Sequence, residues 1–180
     1  MNNSSFPTTK NELRAVAKAA LLSVKCREEK ELSVAKAALN YIENHGFTRI
    51  AVYMSLSNEL STDFLISELF KRKKRVFVPV VISGTEMVFT EITPDTVYAK
   101  GAFGIREPVS ILPEYDFDVI FVPLVAFDEN NNRLGKGKGY YDRFLRANAA
   151  KKIGLAFAEQ KFPLIPTDPT DVKLDKVFYC

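Results

Sequence analysis

The chain has 180 residues, 47% of them hydrophobic, and a formal net charge of +3 with one histidine. That length supports one domain, residues 1–180, with a sizeable core, and so small a charge excludes nucleic-acid binding by bulk electrostatics while leaving small anions open as ligands. Cys26 and Cys180 stand near opposite ends and outside any Cys/His cluster, which argues against disulfides or zinc; with no signal-peptide core and no membrane-spanning run, a cytoplasmic protein without membrane contact is expected.

From Thr9, Leu13, Val16, Ala17, Ala20, Leu21 and Val24 recur at helical spacing, and Thr9 with Glu12 has the form of a capping box. A second helix carries Leu32, Ala35, Leu39 and Ile42 on one face and stops at Gly46. His45, just before that glycine, is expected to cap the helix or face solvent and not to act in catalysis. Residues 49–54 predict a buried strand, the polar run S-L-S-N-E-L-S-T-D a loop, and residues 61–73 a helix whose closing lysines and arginines complement its carbonyl end.

Strands are predicted at 76–81 and 87–92 around a Ser83-Gly84 turn. Residues 93–118 hold Pro94, Gly101, Gly104, Pro108 and Pro113 without clear periodicity and predict a long functional loop. Residues 119–125, V-I-F-V-P-L-V, form the most apolar segment and predict a central parallel strand. A helix over 140–150, a strand over 153–157 and an edge strand over 177–179 complete the pattern. Alternating strands and helices imply a three-layer α/β fold, an open and largely parallel Rossmann-like sheet with helices on both faces. Ligands of such sheets bind beyond the carboxyl ends of the strands, so the loops at 55–62, 101–108 and 127–139 are expected to line one crevice.

The stretch Arg133 to Arg143, R-L-G-K-G-K-G-Y-Y-D-R, concentrates the chemistry. Gly135, Gly137 and Gly139 allow backbone amides to approach an anion closely, while Arg133, Lys136 and Lys138 add positive charge. The start of the following helix favours a phosphate at the same spot, and Asp142 offers a hard oxygen for Mg²⁺. The alternating glycines fit neither a Walker loop nor a dinucleotide fingerprint. A plain glycine-rich surface loop is the competing reading.

The segment V-P-L-V-A-F-D-E-N-N-N-R-L-G-K-G-K-G-Y-Y-D-R-F-L closely resembles the signature of the 5-formyltetrahydrofolate cyclo-ligase family. K-N-E-L-R at 10–14, N-E-L-S-T at 58–62, F-G-I-R-E-P at 103–108 and P-T-D-P-T-D-V-K-L-D at 166–175 extend the resemblance along the chain. It implies ATP-dependent, Mg²⁺-requiring closure of 5-formyltetrahydrofolate, free or polyglutamylated, to 5,10-methenyltetrahydrofolate by a monomer. By the same resemblance Lys10, Asn11, Glu12, Leu13 and Arg14 join Arg133, Leu134, Gly135, Lys136, Gly137, Lys138, Gly139, Tyr140 and Tyr141 as the ATP site. Met54, Glu59 and Phe103, with Lys136 to Tyr140, are implied to hold the folate, Lys10, Arg14, Lys138 and Arg143 to act in catalysis, and Asp142 and Asp171 to bind the metal. This chain departs from the family pattern at Leu124, where a glycine is usual, and at Asp168 and Thr170. A folate- or nucleotide-binding regulatory protein without turnover is the alternative of a different class.

Overall fold

The computed structural model describes Pro7, residues 9–100 and residues 106–180. Helix α1, Lys10–Leu22, opens on the expected capping box: the Thr9 hydroxyl accepts from the Glu12 amide at 3.3 Å and the Glu12 carboxylate accepts from the Thr9 amide at 3.1 Å. Of its apolar stripe only Leu13 and Ala17 are buried, and Val16 is 45% exposed, so the helix rests on a narrow seam. Helix α2, Arg27–Asn44, buries Val34, Ala35, Ala38, Leu39 and Ile42 and leaves Leu32 at its margin. It ends as expected at Gly46, whose φ of +67° lets the Phe47 amide return to the Ile42 carbonyl at 3.0 Å. His45 lies there with Nδ1 2.9 Å from the Tyr41 carbonyl.

The strands are β1 Arg49–Val52, β2 Arg75–Val81, β3 Met87–Ile92, β7 Val119–Val122, β10 Lys151–Ala156 and β11 Lys176–Tyr179, with the two-residue edge strand β6 Pro113–Glu114. They form one seven-stranded sheet in the order β11-β10-β7-β1-β2-β3-β6. The run from β11 to β2 is parallel, and β3 and β6 close one edge antiparallel. Strands buried on both faces explain the continuous apolar runs in the sequence. Ile50, Val76, Val78, Val119, Phe121 and Ile153 face α2 and helix α3, Asp63–Lys71. Ala51, Phe77, Phe89, Ile120 and Val122 face the opposite side, where helix α4, Tyr140–Arg146, contributes Leu145. Helices therefore cover both faces, as the pattern predicted, and α1 packs separately against Ala126, Leu134 and Ile165.

Strand β1 ends at Val52 instead of 54, α3 spans 63–71 instead of 61–73 and β10 spans 151–156 instead of 153–157, and three larger departures accompany these shifts. Strand β7 stops at Val122 instead of running to 125, because Pro123 has no amide to donate and its carbonyl accepts instead from the Arg133 guanidinium at 3.2 Å. The chain beyond it turns into a small hairpin, β8 Ala126–Phe127 against β9 Arg133–Leu134. Helix α4 ends at Arg146 instead of 150, where the Asn148 side chain takes the Ala150 amide at 2.9 Å and turns the chain out. Residues 93–118 are no uniform loop: β4 Tyr98–Lys100 pairs with β5 Arg106–Pro108, and β6 pairs with β3. Strands of two or three residues are too short to leave a period in the sequence.

Candidate active site

The glycine segment runs from β9 to α4 along the carboxyl ends of the sheet. Its backbone is left-handed at Gly137, φ +95°, and Gly139, φ +71°, which favours glycine at both. Arginines clamp it from one side. Arg14 Nε donates to the Gly135 carbonyl at 2.8 Å, and a Cβ built at Gly137 would stand 3.2 Å from the same guanidinium. Arg143 donates to the Lys138 carbonyl at 3.1 Å and would meet a Cβ at Gly139 at 2.7 Å. The glycines thus let two cationic side chains lie flat on the main chain.

On that side lies a charged cavity of about 370 Å³, lined by Lys10, Arg14, Arg143 and Arg146 and by Asp142, Asp168 and Asp171. Lys10 Nζ donates to Asp168 at 2.6 Å and also to Asp171, whose Oδ2 takes the Asp168 amide at 2.7 Å. Burial works against the charge of Asp171, but the hydrogen bonds from Lys10 and the Asp168 amide outweigh it and hold the carboxyl below its ordinary value. Burial likewise opposes the charge of Lys10, and its two aspartate partners raise it above the ordinary lysine value. Asp142 Oδ1 receives Arg133 at 2.7 Å and the Val172 amide at 3.2 Å. Among the described residues, Asp142 is engaged through Oδ1 and Asp171 through Oδ2. Among the described residues no cluster of three or more metal-type side chains exists. Mg²⁺ accompanying phosphates needs only one or two carboxylates beside the phosphate oxygens and water, so Asp142 and Asp171 fit that requirement.

On the other side of the glycines lies an apolar cavity of about 300 Å³ walled by Tyr53, Met54, Leu56, Pro79, Met87 and Leu124 among others. Its carboxylates are Glu59, Glu107 and, at the partition, Asp142. Glu59 has an 11% exposed side chain that receives Lys136 Nζ at 2.6 Å and the Leu56 amide at 2.8 Å. Two buried polar atoms in the lining, Tyr141 Oη and Arg133 Nε, have no hydrogen-bond partner among the described residues. Burial, reinforced by the nearby Glu59 carboxylate, pushes the Tyr141 hydroxyl well up, so it stays a proton donor. Native interiors seldom leave such atoms unpaired.

The structure sorts the residues named from sequence. Lys10, Arg14, Arg143 and Asp171 line the charged cavity, and Met54, Glu59, Lys136, Lys138, Tyr140 and Tyr141 the apolar one. Arg133, Gly135, Gly137, Gly139 and Asp142 line both and form the partition. The side chains of Leu13 and Leu134 lie in the core, Asn11 accepts from Arg14 at 2.7 Å, and Glu12 caps α1. Phe103 lies outside the described residues. The loops 55–62, 101–108 and 127–139 do contribute to one crevice, through Leu56, Glu59, Glu107 and the glycine segment. Tyr53, Val81 and Met87 were missed, although strand ends are where ligands of such sheets gather. Arg146 was missed although it directly follows the signature segment, in the last turn of α4.

The three-layer α/β sheet thus carries a cationic, glycine-walled cavity beside a mainly apolar one. A sequence model described as the 5-formyltetrahydrofolate cyclo-ligase family matches residues 7–180. A 5-formyltetrahydrofolate cyclo-ligase of Haemophilus influenzae is 37% identical over 183 residues, covering 97% of each chain. The 5,10-methenyltetrahydrofolate synthetase structures of Aquifex aeolicus and Mycoplasma pneumoniae superpose with TM-scores of 0.79 and 0.77 at 31% and 28% identity. They cover 94% and 95% of this chain and 89% and 98% of their own. The chain belongs to the 5-formyltetrahydrofolate cyclo-ligase family.

Proposed function

We propose that this chain catalyses ATP-dependent cyclisation of 5-formyltetrahydrofolate, free or polyglutamylated, to 5,10-methenyltetrahydrofolate, releasing ADP and phosphate, as a cytoplasmic monomer. The formyl oxygen is a poor leaving group, so ATP transfers its γ-phosphoryl group to it. N10 then attacks the formyl carbon and gives up its proton, and the C–O bond breaks as phosphate departs. Such chemistry depends on positioning and on charge neutralisation more than on a protein nucleophile. The observation that carries this reading is the partition itself: one wall of glycines stands between a cavity lined by Lys10, Arg14, Arg143 and Arg146 and a mainly apolar one that holds Glu59 with Lys136 and Lys138.

In this reading Lys10, Arg14 and Arg143 neutralise phosphate charge, and Lys138 approaches the transferring group from the opposite side of the wall. Glu59 accepts hydrogen bonds from the pterin N–H groups, strengthened by its charge, while Met54 and Tyr140 pack on the ring. Asp142 and Asp171 would hold Mg²⁺, which when bound would spread the charge of the phosphates. No helix among the described residues is long and apolar enough to cross a membrane. The test mixes the purified protein with 5-formyltetrahydrofolate, ATP and Mg²⁺ and follows near-ultraviolet absorbance. The expected result is growth of the methenyl product with one phosphate released per ring closed; tight ATP binding with neither signal at saturation would favour the regulatory alternative.

A further inference from the structure

One residue that holds the loop of Glu59, Arg27, lines neither cavity. Glu59 stands in a loop whose inner edge is tied to Tyr53: the Tyr53 hydroxyl donates to the Leu60 carbonyl at 3.0 Å, and the Thr62 hydroxyl donates to the Tyr53 carbonyl at 2.8 Å. The outer edge is tied to α2. Arg27, its first residue, donates through a terminal guanidinium nitrogen to the Glu59 carbonyl. The Nε of Arg27 pairs with Glu31 one turn on at 3.0 Å, and the same Glu31 oxygen accepts the Ser61 amide at 3.1 Å. Residues 59 and 61 are therefore held by one ion pair, residues 60 and 62 by one tyrosine. The Arg27 guanidinium also lies 4.7 Å over the ring of Phe157, which is fully buried at the end of β10.

We propose that Arg27 and Glu31 form a clamp that positions Glu59 for its ligand, making Arg27 a positioning residue for the folate site. The geometry explains why a fork is needed. Arginine's planar guanidinium holds several donors in fixed directions, so one side chain reaches the Glu59 carbonyl, Glu31 and an aromatic face together. With the carbonyl held by Arg27 and the carboxylate held by the Leu56 amide, Glu59 keeps one oxygen engaged and turns the other toward the cavity, where Lys136 now occupies it. Losing the clamp frees the loop's outer edge and lowers the fraction of molecules with Glu59 in place, which weakens the apparent affinity of the ligand that it holds. ATP, on the far side of the glycine wall, is untouched.

This inference rests on the reading that Glu59 binds the folate, and the test separates the two. Arg27→Met, Arg27→Lys and Glu59→Gln are made singly, and Arg27→Met is combined with Glu59→Gln. The Michaelis constants for both substrates and the melting temperature are measured for each. Arg27→Met is expected to raise KM for 5-formyltetrahydrofolate about tenfold, the scale of one charge-assisted hydrogen bond, while KM for ATP stays within about twofold. Arg27→Lys, which keeps charge and length without the fork, recovers part of the loss and serves as the test if the methionine variant does not fold. In the Glu59→Gln background Arg27→Met adds less than about twofold, because its effect runs through Glu59. An unchanged folate KM in both Arg27 variants, a parallel rise in both constants, or full additivity overturns the clamp. A normal folate KM in Glu59→Gln alone overturns the underlying reading of the site, a pattern distinct from failure of the clamp.

Discussion

Tyr141 and Asp171 show how single side chains commit the site to ligands. The Tyr141 hydroxyl is buried beside the apolar cavity, protonated and without a partner among the described residues. A donor left unpaired in the free protein costs stability that a ligand acceptor would recover. Tyr141→Phe is therefore expected to leave unfolding stability equal or slightly higher, while raising the folate KM by a factor of about 3 to 10, read by urea unfolding and steady-state kinetics on one preparation. Asp171 is held below its ordinary value of 3.8 against burial by Lys10 and the Asp168 amide. A depressed carboxylate contributes stability that is complete above its unfolded-state value and is lost as pH falls through the lower folded-state value. Lys10 is raised above 10.5, so its share is complete below that value and is lost only as pH rises through the folded-state one. Between those limits the pair's contribution does not change with pH. Asp171→Asn should flatten the acid limb of the melting curve below about pH 4 and offset it by a constant amount near neutrality; an acid limb as steep as in the parent would exclude the pair as its source.

At the scale of elements, the glycine segment and α4 act together. Helix α4 has only seven residues, so its dipole is modest and the arginines carry the positive charge of the charged cavity. Arg143 lies so close over Gly139 that an added Cβ would stand 2.7 Å from it, on a backbone already at φ +71°. Gly139→Ala is expected to cost about 1–2 kcal/mol from the left-handed backbone and to push Arg143 away, raising the ATP KM more than the folate KM. A variant with parent stability and an unchanged ATP KM would show that Arg143 needs no such approach. This segment was legible in the sequence because alternating glycines, basic residues and paired tyrosines leave few other uses. Which side each residue faces was not legible from the residues themselves: as bare charges Lys136 and Lys138 suggested the phosphates, and only the family resemblance implied a second role on the apolar side, where they lie with Glu59. Nor was the β4/β5 hairpin, whose three-residue strands carry no period, yet Glu107 on it reaches the cavity.

Across the whole molecule, the parallel sheet decides where chemistry is possible. Its continuous apolar strands were readable as buried on both faces, and the helices fell where their stripes indicated, though α1 buries far less of its stripe than the spacing suggested. Strand order brings β1 between β7 and β2, so the loop after β1 with Glu59 and the segment following β7 with the glycines meet at one end of the sheet. Lys10, from the first helix, and Asp171, from near the other end of the chain, come together there too. The meeting of the two loops was expected from the alternation of strands and helices, but the pairing of Lys10 with Asp171 is a long-range contact that no local pattern in a sequence encodes. The convergence also gives the protein its two cavities, which share the glycine segment as a wall. The most direct measurement is a crystal structure with a non-hydrolysable ATP analogue and 5-formyltetrahydrofolate bound together. The triphosphate should lie among Lys10, Arg14 and Asp171 and the pterin against Glu59 and Met54, with the formyl oxygen and terminal phosphate facing each other past the glycine wall. A triphosphate in the apolar cavity, or a pterin away from Glu59, would contradict the account.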